Sequence, residues 1–139
     1  MILPQSADYA SGATVLLVDY PPALEASATA GADGVATVEF PAIDSQYLWR
    51  IERMTTYCAP APAAGSAAAI LVYEGPSMTP TRIRDGSASP GFDVADQHAP
   101  ITLQPSSQLV VQWTDMPPGT VCSVSVQYQL WRRIIASGS

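Results

Sequence analysis

The sequence predicts an all-β protein, a single antiparallel β-sandwich of about eight strands behind an extended N-terminal arm. Two observations lead to this fold class. Apolar and polar residues alternate along several short runs, and prolines and glycines separate these runs instead of collecting in one block. No stretch is assigned to a helix, and no internal repeat has a fixed period. Strand number alone leaves a jelly roll and an immunoglobulin-like sandwich as open alternatives.

The chain of 139 residues has the length of one domain. Residues 1–12 have no periodicity and are predicted to form the arm, residues 13–133 the sandwich, and residues 134–139 a C-terminal tail. The arm has neither the basic start nor the uninterrupted apolar stretch of a signal peptide, so we expect synthesis and folding in a cytoplasm. Because no apolar run is long enough to cross a bilayer, no membrane partner is expected.

Three segments open the predicted sandwich. Residues 13–19 are a compact apolar run that ends at two prolines, which is typical of a strand. Residues 23–33 are rich in alanine and could form a short helix, but the glycine and the Asp-Gly pair that interrupt them favour a loop. Residues 34–40 alternate as a strand that has its apolar residues on one face.

The longest predicted strand covers residues 46–58 and has Trp49 as its core anchor. Its aromatic residues recur with a period of two, and its β-branched end favours a strand over the competing helix. Residues 67–74 are predicted to form a buried apolar strand. Residues 81–85 form a short edge strand whose charged side chains protect the open ladder, and a long polar loop follows over residues 85–100.

The closing strands have the clearest pattern. After a short strand over residues 100–103, residues 107–114 and 120–131 are predicted to form a hairpin, because the turn between them contains two prolines and a glycine. In the last strand one face is apolar and the other polar, so the apolar face is predicted to line the core. The apolar face carries Cys122, Val124, Val126, Tyr128 and Leu130, and the polar face carries Ser123, Ser125, Gln127 and Gln129.

The composition is poor in charge. Charged residues make up 13% of the chain, against about 25% in an ordinary soluble domain. Such a surface is typical of one that neighbouring subunits cover, because interface centres are depleted of charge. The chain has no lysine and a net charge of −6, so it lacks a basic surface for a phosphate backbone. Direct binding of nucleic acid is therefore not expected.

No set of residues predicts catalysis or a cofactor. A nucleophile–base pair would need a histidine, and the one histidine, His98, lies in the polar loop. Carboxylate spacing selects no acid–base pair, and Asp85, Asp93 and Asp96 do not follow the pattern of an EF-hand calcium loop. We therefore expect a protein without enzymatic activity, metal or cofactor.

The two cysteines, Cys58 and Cys122, lie far apart in the sequence and have no histidine near them. Because Cys122 falls on the core face and Cys58 ends a strand, two buried free thiols are the favoured interpretation. A disulfide between them stays open as the alternative, and it requires that their two strands face each other.

The end of the last strand is the predicted contact surface. Trp131 falls on its polar face beside two arginines, and tryptophan and arginine are enriched in interface hot spots. Two isoleucines follow, which a free tail would gain nothing by exposing. Together with the arm, this end is predicted to contact a neighbouring subunit. The predicted contact residues are Met1, Ile2, Leu3, Trp131, Arg132, Arg133, Ile134 and Ile135.

Several short motifs add a family resemblance. The sequence contains Trp49-Arg50-Ile51-Glu52-Arg53, then Tyr73-Glu74-Gly75, then Asp85-Gly86, and finally Val111-Gln112-Trp113 and Val126-Gln127-Tyr128 in the closing hairpin. With these motifs, residues 34–131 resemble small β-sandwich accessory proteins of tailed bacteriophages that infect actinobacteria. Proteins of that kind are decoration, head-fibre or minor tail components.

The resemblance implies a non-enzymatic virion structural protein, present in many copies as a decoration or accessory protein on the capsid or tail. The implied partners are major capsid or tail subunits and copies of the same chain, after synthesis in the cytoplasm of the bacterial host. The alternative function is a β-sandwich module that binds carbohydrate on the host surface, because many aromatic residues lie on predicted strands. A glycan would then be a further partner.

Overall fold

A computed structural model describes residues 6–8, 14–19, 21–42, 47–63, 65–88, 93–95 and 101–133. These residues contain eleven strands and one short 3-10 turn, Pro80–Arg82. None of the helices among them is long and apolar enough to span a membrane. The strands are β1 Ser6–Asp8, β2 Thr14–Asp19, β3 Leu24–Thr29, β4 Ala36–Glu39, β5 Tyr47–Ala59, β6 Ala69–Gly75, β7 Ile83–Ser87, β8 Asp93–Ala95, β9 Ile101–Leu103, β10 Gln108–Thr114 and β11 Val121–Arg133.

The strands form two antiparallel sheets. In the first, β11 pairs with β5 along nearly its whole length, while β3 and β2 pair one after the other with the opposite edge of β11. In the same way, β9 and β8 share the free edge of β5, and β1 lies outside β2. The second sheet has the order β4-β10-β6-β7. β2 and β3 follow each other along one edge of β11, and β8 and β9 along one edge of β5, so each of these pairs counts as one strand. With β1 left out, the count is eight, and the prediction of about eight strands in one sandwich is confirmed.

The strand order also decides between the two connectivities. With β3 to β7, β9, β10 and β11 taken as strands one to eight, the sheets have the orders 1-8-3-6 and 2-7-4-5. An immunoglobulin-like sandwich keeps its first two strands as neighbours in one sheet. Here β3 and β4 lie in different sheets, and the order is that of a jelly roll built from two Greek keys.

The core lies between the sheets and is lined by most of the predicted apolar face of β11, whereas Leu130 of that face is only partly buried and is not part of the core. Cys122, Val124 and Val126 are buried there. Trp49 is the predicted anchor in β5, and its ring lies 5.0 Å from the ring of the partly buried Tyr128. Alternation in the closing strand was therefore a correct guide to the core. β5 also contributes Ile51 and Met54. The other strands contribute Ala36, Val38, Ile70, Val72, Leu109, Val111 and Trp113.

Two local predictions were wrong, and the bounds of a third differ from those predicted. The segment predicted as a loop over residues 23–33 contains β3, because the alternation LEASAT turns Leu24 and the alanines toward the core while β11 supplies the hydrogen-bonding partner. The edge strand predicted over 81–85 is confirmed as β7 at the edge of the second sheet, but it begins after the 3-10 turn, at Ile83, and continues to Ser87. The long loop predicted over 85–100 therefore contains the end of β7, and β8 as well.

Part of the predicted arm also belongs to a sheet. Within residues 1–12, Ser6–Asp8 form β1 and pair with Thr14–Leu16 of β2. The remaining arm residues lie outside the described part of the chain. The described portion of the arm is therefore an added edge strand and not a free extension.

The turn between β3 and β4 docks on the turn between β10 and β11. The amide of Met116 donates to the carbonyl of Gly34 at 3.0 Å, and the amide of Gly119 donates to the carbonyl of Ala30 at 2.8 Å. Gly34 has a φ of 76°, and a Cβ there would lie 2.9 Å from the Met116 carbonyl oxygen. Only glycine meets both conditions, so Gly34 allows the two turns to pack closely.

Candidate functional site

The structure brings the two predicted contact segments to one corner of the first sheet. Arg132 and Arg133 at the end of β11 pair with Leu16 and Val15 of β2. The same two β2 residues pair on their other side with Ser6 and Ala7 of β1. The arm strand and the end of the last strand are thus separated only by β2, and we call this arrangement the terminal corner.

The predicted exposure of Trp131 is wrong. Trp131 is only 7% exposed and pairs with Leu48, which is 2% exposed. Cross-strand partners share a face, and neither residue belongs to the core between the sheets, so both are buried on the outer face. The indole nitrogen donates a hydrogen bond to Oε1 of Gln129 at 2.9 Å. The polar neighbours of Trp131 along the strand indicated that its side chain faces solvent. Its environment depends instead on the cross-strand Leu48 and on the register shift between Leu130 and Trp131.

The other predicted contact residues divide into two groups. Arg132 is exposed at the terminal corner, as predicted. Five of the remaining residues and the side chain of Arg133 lie outside the described part of the structure, so their contacts remain predictions. The five residues are Met1, Ile2, Leu3, Ile134 and Ile135.

A second surface lies on the outer face of β3, β11 and β5, where the chain forms a shallow open groove of about 470 Å³. Two rows of side chains cross the three strands and line it. One row is Ser27, Ser123 and Tyr57, and the other is Glu25, Ser125 and Thr55. We call this surface the outer groove.

The outer groove combines hydroxyl groups with one exposed aromatic ring. Tyr57 is 64% exposed. Alternation does carry the signal, because Met54, Thr56 and Cys58 are buried and Thr55 and Tyr57 point the other way. The sequence did not reveal that β3 contributes side chains to this surface, because the segment that forms β3 was predicted as a loop.

Glu74 is a buried charge with a complete set of partners. Its Oε1 accepts a hydrogen bond from Nε of Arg84 at 3.1 Å, and its Oε2 accepts from the Gln104 amide at 2.7 Å and the Ser107 hydroxyl at 2.9 Å. Burial by itself would raise the pKa of Glu74. The hydrogen bonds and the charge of Arg84 outweigh burial and hold that pKa below its ordinary value.

The partners of Glu74 decide its role. They come from β7 and from the segment that joins β9 to β10, so the carboxylate links three parts of the sandwich edge. Both of its oxygens already accept hydrogen bonds in the folded protein. This arrangement is suited to stabilising the fold and not to proton transfer with a substrate.

Cys58 and Cys122 are free and buried, and they lie directly opposite each other on β5 and β11. Their Sγ atoms are 3.9 Å apart. Burial raises the pKa of both thiols, and the nearby Cys58 sulfur helps to raise the pKa of Cys122 to about 12. Both groups are therefore neutral thiols at physiological pH, which makes them poor nucleophiles and poor metal ligands.

The native protein should resist alkylation by iodoacetamide at pH 8, whereas both cysteines should react once urea unfolds the chain. Intact mass spectrometry over several hours measures the difference. Fast modification of the folded protein would contradict the burial of the pair.

The same thiols make stability depend on alkaline pH. The folded state holds these protons more tightly than the unfolded state, where the thiol pKa is near 8.5. Their contribution should be complete below that value and should decline as pH rises toward the raised pKa of about 12. Urea titrations at several pH values should show this decline in wild type and a weaker one in a Cys122→Ala variant.

The other groups considered for chemistry do not come together in the described structure. Among the described residues, no three His, Cys, Asp or Glu side chains are grouped as metal ligands. The Asp85 carboxylate accepts a hydrogen bond from the amide of Gly86 at 2.7 Å. His98, Asp96 and the side chain of Asp93 lie outside the described part.

No protein-family model matches the chain, and a search of curated proteins finds no match either. Functional inference therefore depends on the terminal corner, the outer groove and the composition of the chain.

Proposed function

We propose that this protein is a non-enzymatic structural protein of the virion of a tailed phage, held in many copies as a decoration or accessory protein on the capsid or tail. The observation that carries the proposal is the terminal corner, where β1, β2 and the end of β11 are neighbours. Among the described residues, β1 pairs only with β2. Its free edge offers backbone groups with which a neighbouring chain can pair.

Two further features support the proposal. Charged residues are only 13% of the chain, as expected for a surface that neighbours cover. The jelly-roll order is one that viral capsid domains use, although lectin domains use it too.

Copy number in particles is the direct test of the proposal. Purified virions of the phage that encodes the chain should contain it at many copies per particle, as measured by quantitative mass spectrometry against the major capsid and tail proteins. Finding the chain in infected-cell lysate but not in washed particles would exclude a structural role.

The arginines of the terminal corner should be needed for attachment. The double variant Arg132→Ala, Arg133→Ala should lower occupancy on particles, because arginine truncation at an interface hot spot typically costs about 2 kcal/mol. Trp131 stays in place, since removing a buried tryptophan would cost about 3 kcal/mol or more of folding stability. Occupancy is measured by quantitative gel of purified virions.

Arg82→Ala is the matched control, because Arg82 is exposed in the 3-10 turn that precedes β7 of the second sheet. It should leave occupancy unchanged. Deletion of residues 1–12 removes β1 and should reduce occupancy as well. Normal occupancy of both the double variant and the deletion would exclude the terminal corner as the attachment surface.

A further inference from the structure

We propose that the outer groove binds a neutral carbohydrate. The ring of Tyr57 stacks on a sugar, and the surrounding hydroxyls and the Glu25 carboxylate form hydrogen bonds with the sugar hydroxyls. This inference goes beyond the virion role, because it depends only on the outer face of β3, β11 and β5. Neither a virion nor a partner subunit is needed to test it.

The size and rigidity of the groove suit a small ligand. Its volume of about 470 Å³ lies within the range of about 300–1,000 Å³ that is usual for ligand sites. Its side chains stand on three strands joined by continuous ladders, so their spacing is set before a ligand arrives. Because the groove is open and shallow, it would leave much of a ligand in water, and we expect weak binding.

Tyr57 provides the apolar part of the site. Among the described residues it is the most exposed large side chain of apolar or aromatic type, at 64%. A tyrosine ring can cover the C–H face of a sugar while its hydroxyl stays in water or bonds to the ligand. Its cross-strand neighbour is Ser123, so a polar group lies beside the ring.

The remaining side chains offer hydrogen bonds that the described protein does not use. Ser27, Thr55, Ser123 and Ser125 make no side-chain hydrogen bond to another described residue. Each hydroxyl can donate one hydrogen bond and accept two, as a sugar hydroxyl does. A row of such groups is therefore complementary to a polyol.

Charge and backbone pairing narrow the class of ligand. Among the described side chains that line the groove, Glu25 is the only charged one, and none is an arginine. A negative groove disfavours phosphate-bearing polymers and acidic peptides. β11, the central strand of the groove, pairs with β3 on one edge and with β5 on the other, so an extended peptide could not pair with its backbone. A neutral carbohydrate meets both conditions.

Saturation-transfer difference NMR on the purified full chain tests this proposal with maltose, cellobiose, lactose, trehalose and diacetylchitobiose as probes. At least one disaccharide should receive saturation at about 10 mM, as expected for a dissociation constant near 1 mM. Its addition should shift the amide resonances of Ser27, Tyr57 and Ser123. Tyr57→Ala should weaken this binding about tenfold, and Tyr57→Phe should retain most of it.

Met78→Ala is the control, because Met78 is 41% exposed and lies outside the groove, in the segment between β6 and β7. It should bind the disaccharide as wild type does. The proposal is overturned if no disaccharide of the panel receives saturation, if the shifts map outside the outer groove, or if Tyr57→Ala binds as wild type. Any of these results would leave the particle-occupancy tests of the virion role unaffected.

Discussion

Replacement of Val126 by aspartate should abolish soluble folding. Val126 is completely buried and lies between Met54 and Leu24 on the neighbouring strands of the first sheet. An unpaired carboxylate there costs several kcal/mol. This is comparable with the total free energy of unfolding of a domain, which is about 5–15 kcal/mol. Soluble yield and urea unfolding monitored by circular dichroism measure the effect. Val124→Asp should behave in the same way, because Val124 is buried in the same core.

Ser125→Asp is the matched control for these core variants. Ser125 stands between the two valines but points into the outer groove, where Glu25 is its cross-strand neighbour. The added repulsion between like charges should cost about 1 kcal/mol or less. If aspartate were tolerated equally at positions 124, 125 and 126, the core face of β11 would be wrongly assigned.

Glu74→Gln should lower the free energy of unfolding at pH 7 by about 2–3 kcal/mol. The change keeps the shape of the side chain but removes the negative charge that accepts hydrogen bonds from Arg84 and from the backbone amide of Gln104. The NH2 of the glutamine amide must also face hydrogen-bond donors at a position where a carboxylate oxygen accepted hydrogen bonds. Urea titration measures the loss, and Glu39→Gln, exposed on β4, should change stability by about 0.5 kcal/mol or less.

The loss caused by Glu74→Gln should depend on pH. The pKa of Glu74 is lowered in the folded protein, so its carboxylate stabilises the fold above the ordinary carboxyl pKa. That contribution disappears as pH falls through the lowered value, because Glu74 is then protonated in both states. The difference between wild type and variant should therefore narrow at acid pH. An equal difference at pH 3 and pH 7 would mean that the charge of Glu74 contributes nothing.

The chain contains both predictable and unpredictable strands, and β11 and β3 illustrate the two cases. In β11 a long alternation with large apolar residues identifies Cys122, Val124 and Val126 as core without knowledge of any partner. In β3 the same alternation is present, but its inward residues are mainly alanines, which have a weak preference for strands. Only pairing with Val121–Val126 makes this segment a strand, and that pairing joins residues far apart in the sequence.

The candidate surfaces depended on such pairing even more strongly. Ser123 and Ser125 could be placed on a polar face, but the groove exists because Tyr57 and Ser27 become their lateral neighbours. Strand pairing also decides the environment of Trp131. Its polar neighbours along the strand indicated exposure, but it is buried together with its cross-strand partner Leu48. Glu74 could not be recognised as a structural charge before Arg84, Gln104 and Ser107 met around it.

By itself, the sequence determined the all-β class, the approximate strand number, the core face of the last strand and the anchoring role of Trp49. Each of these follows from a pattern within one segment, because successive side chains of a strand point to opposite faces. Only the tertiary structure decided the jelly-roll order, the position of the arm strand next to β2 near the end of β11, and the outer groove. Alternation tells which residues share a face, whereas long-range pairing decides which strand lies beside them and what each face meets.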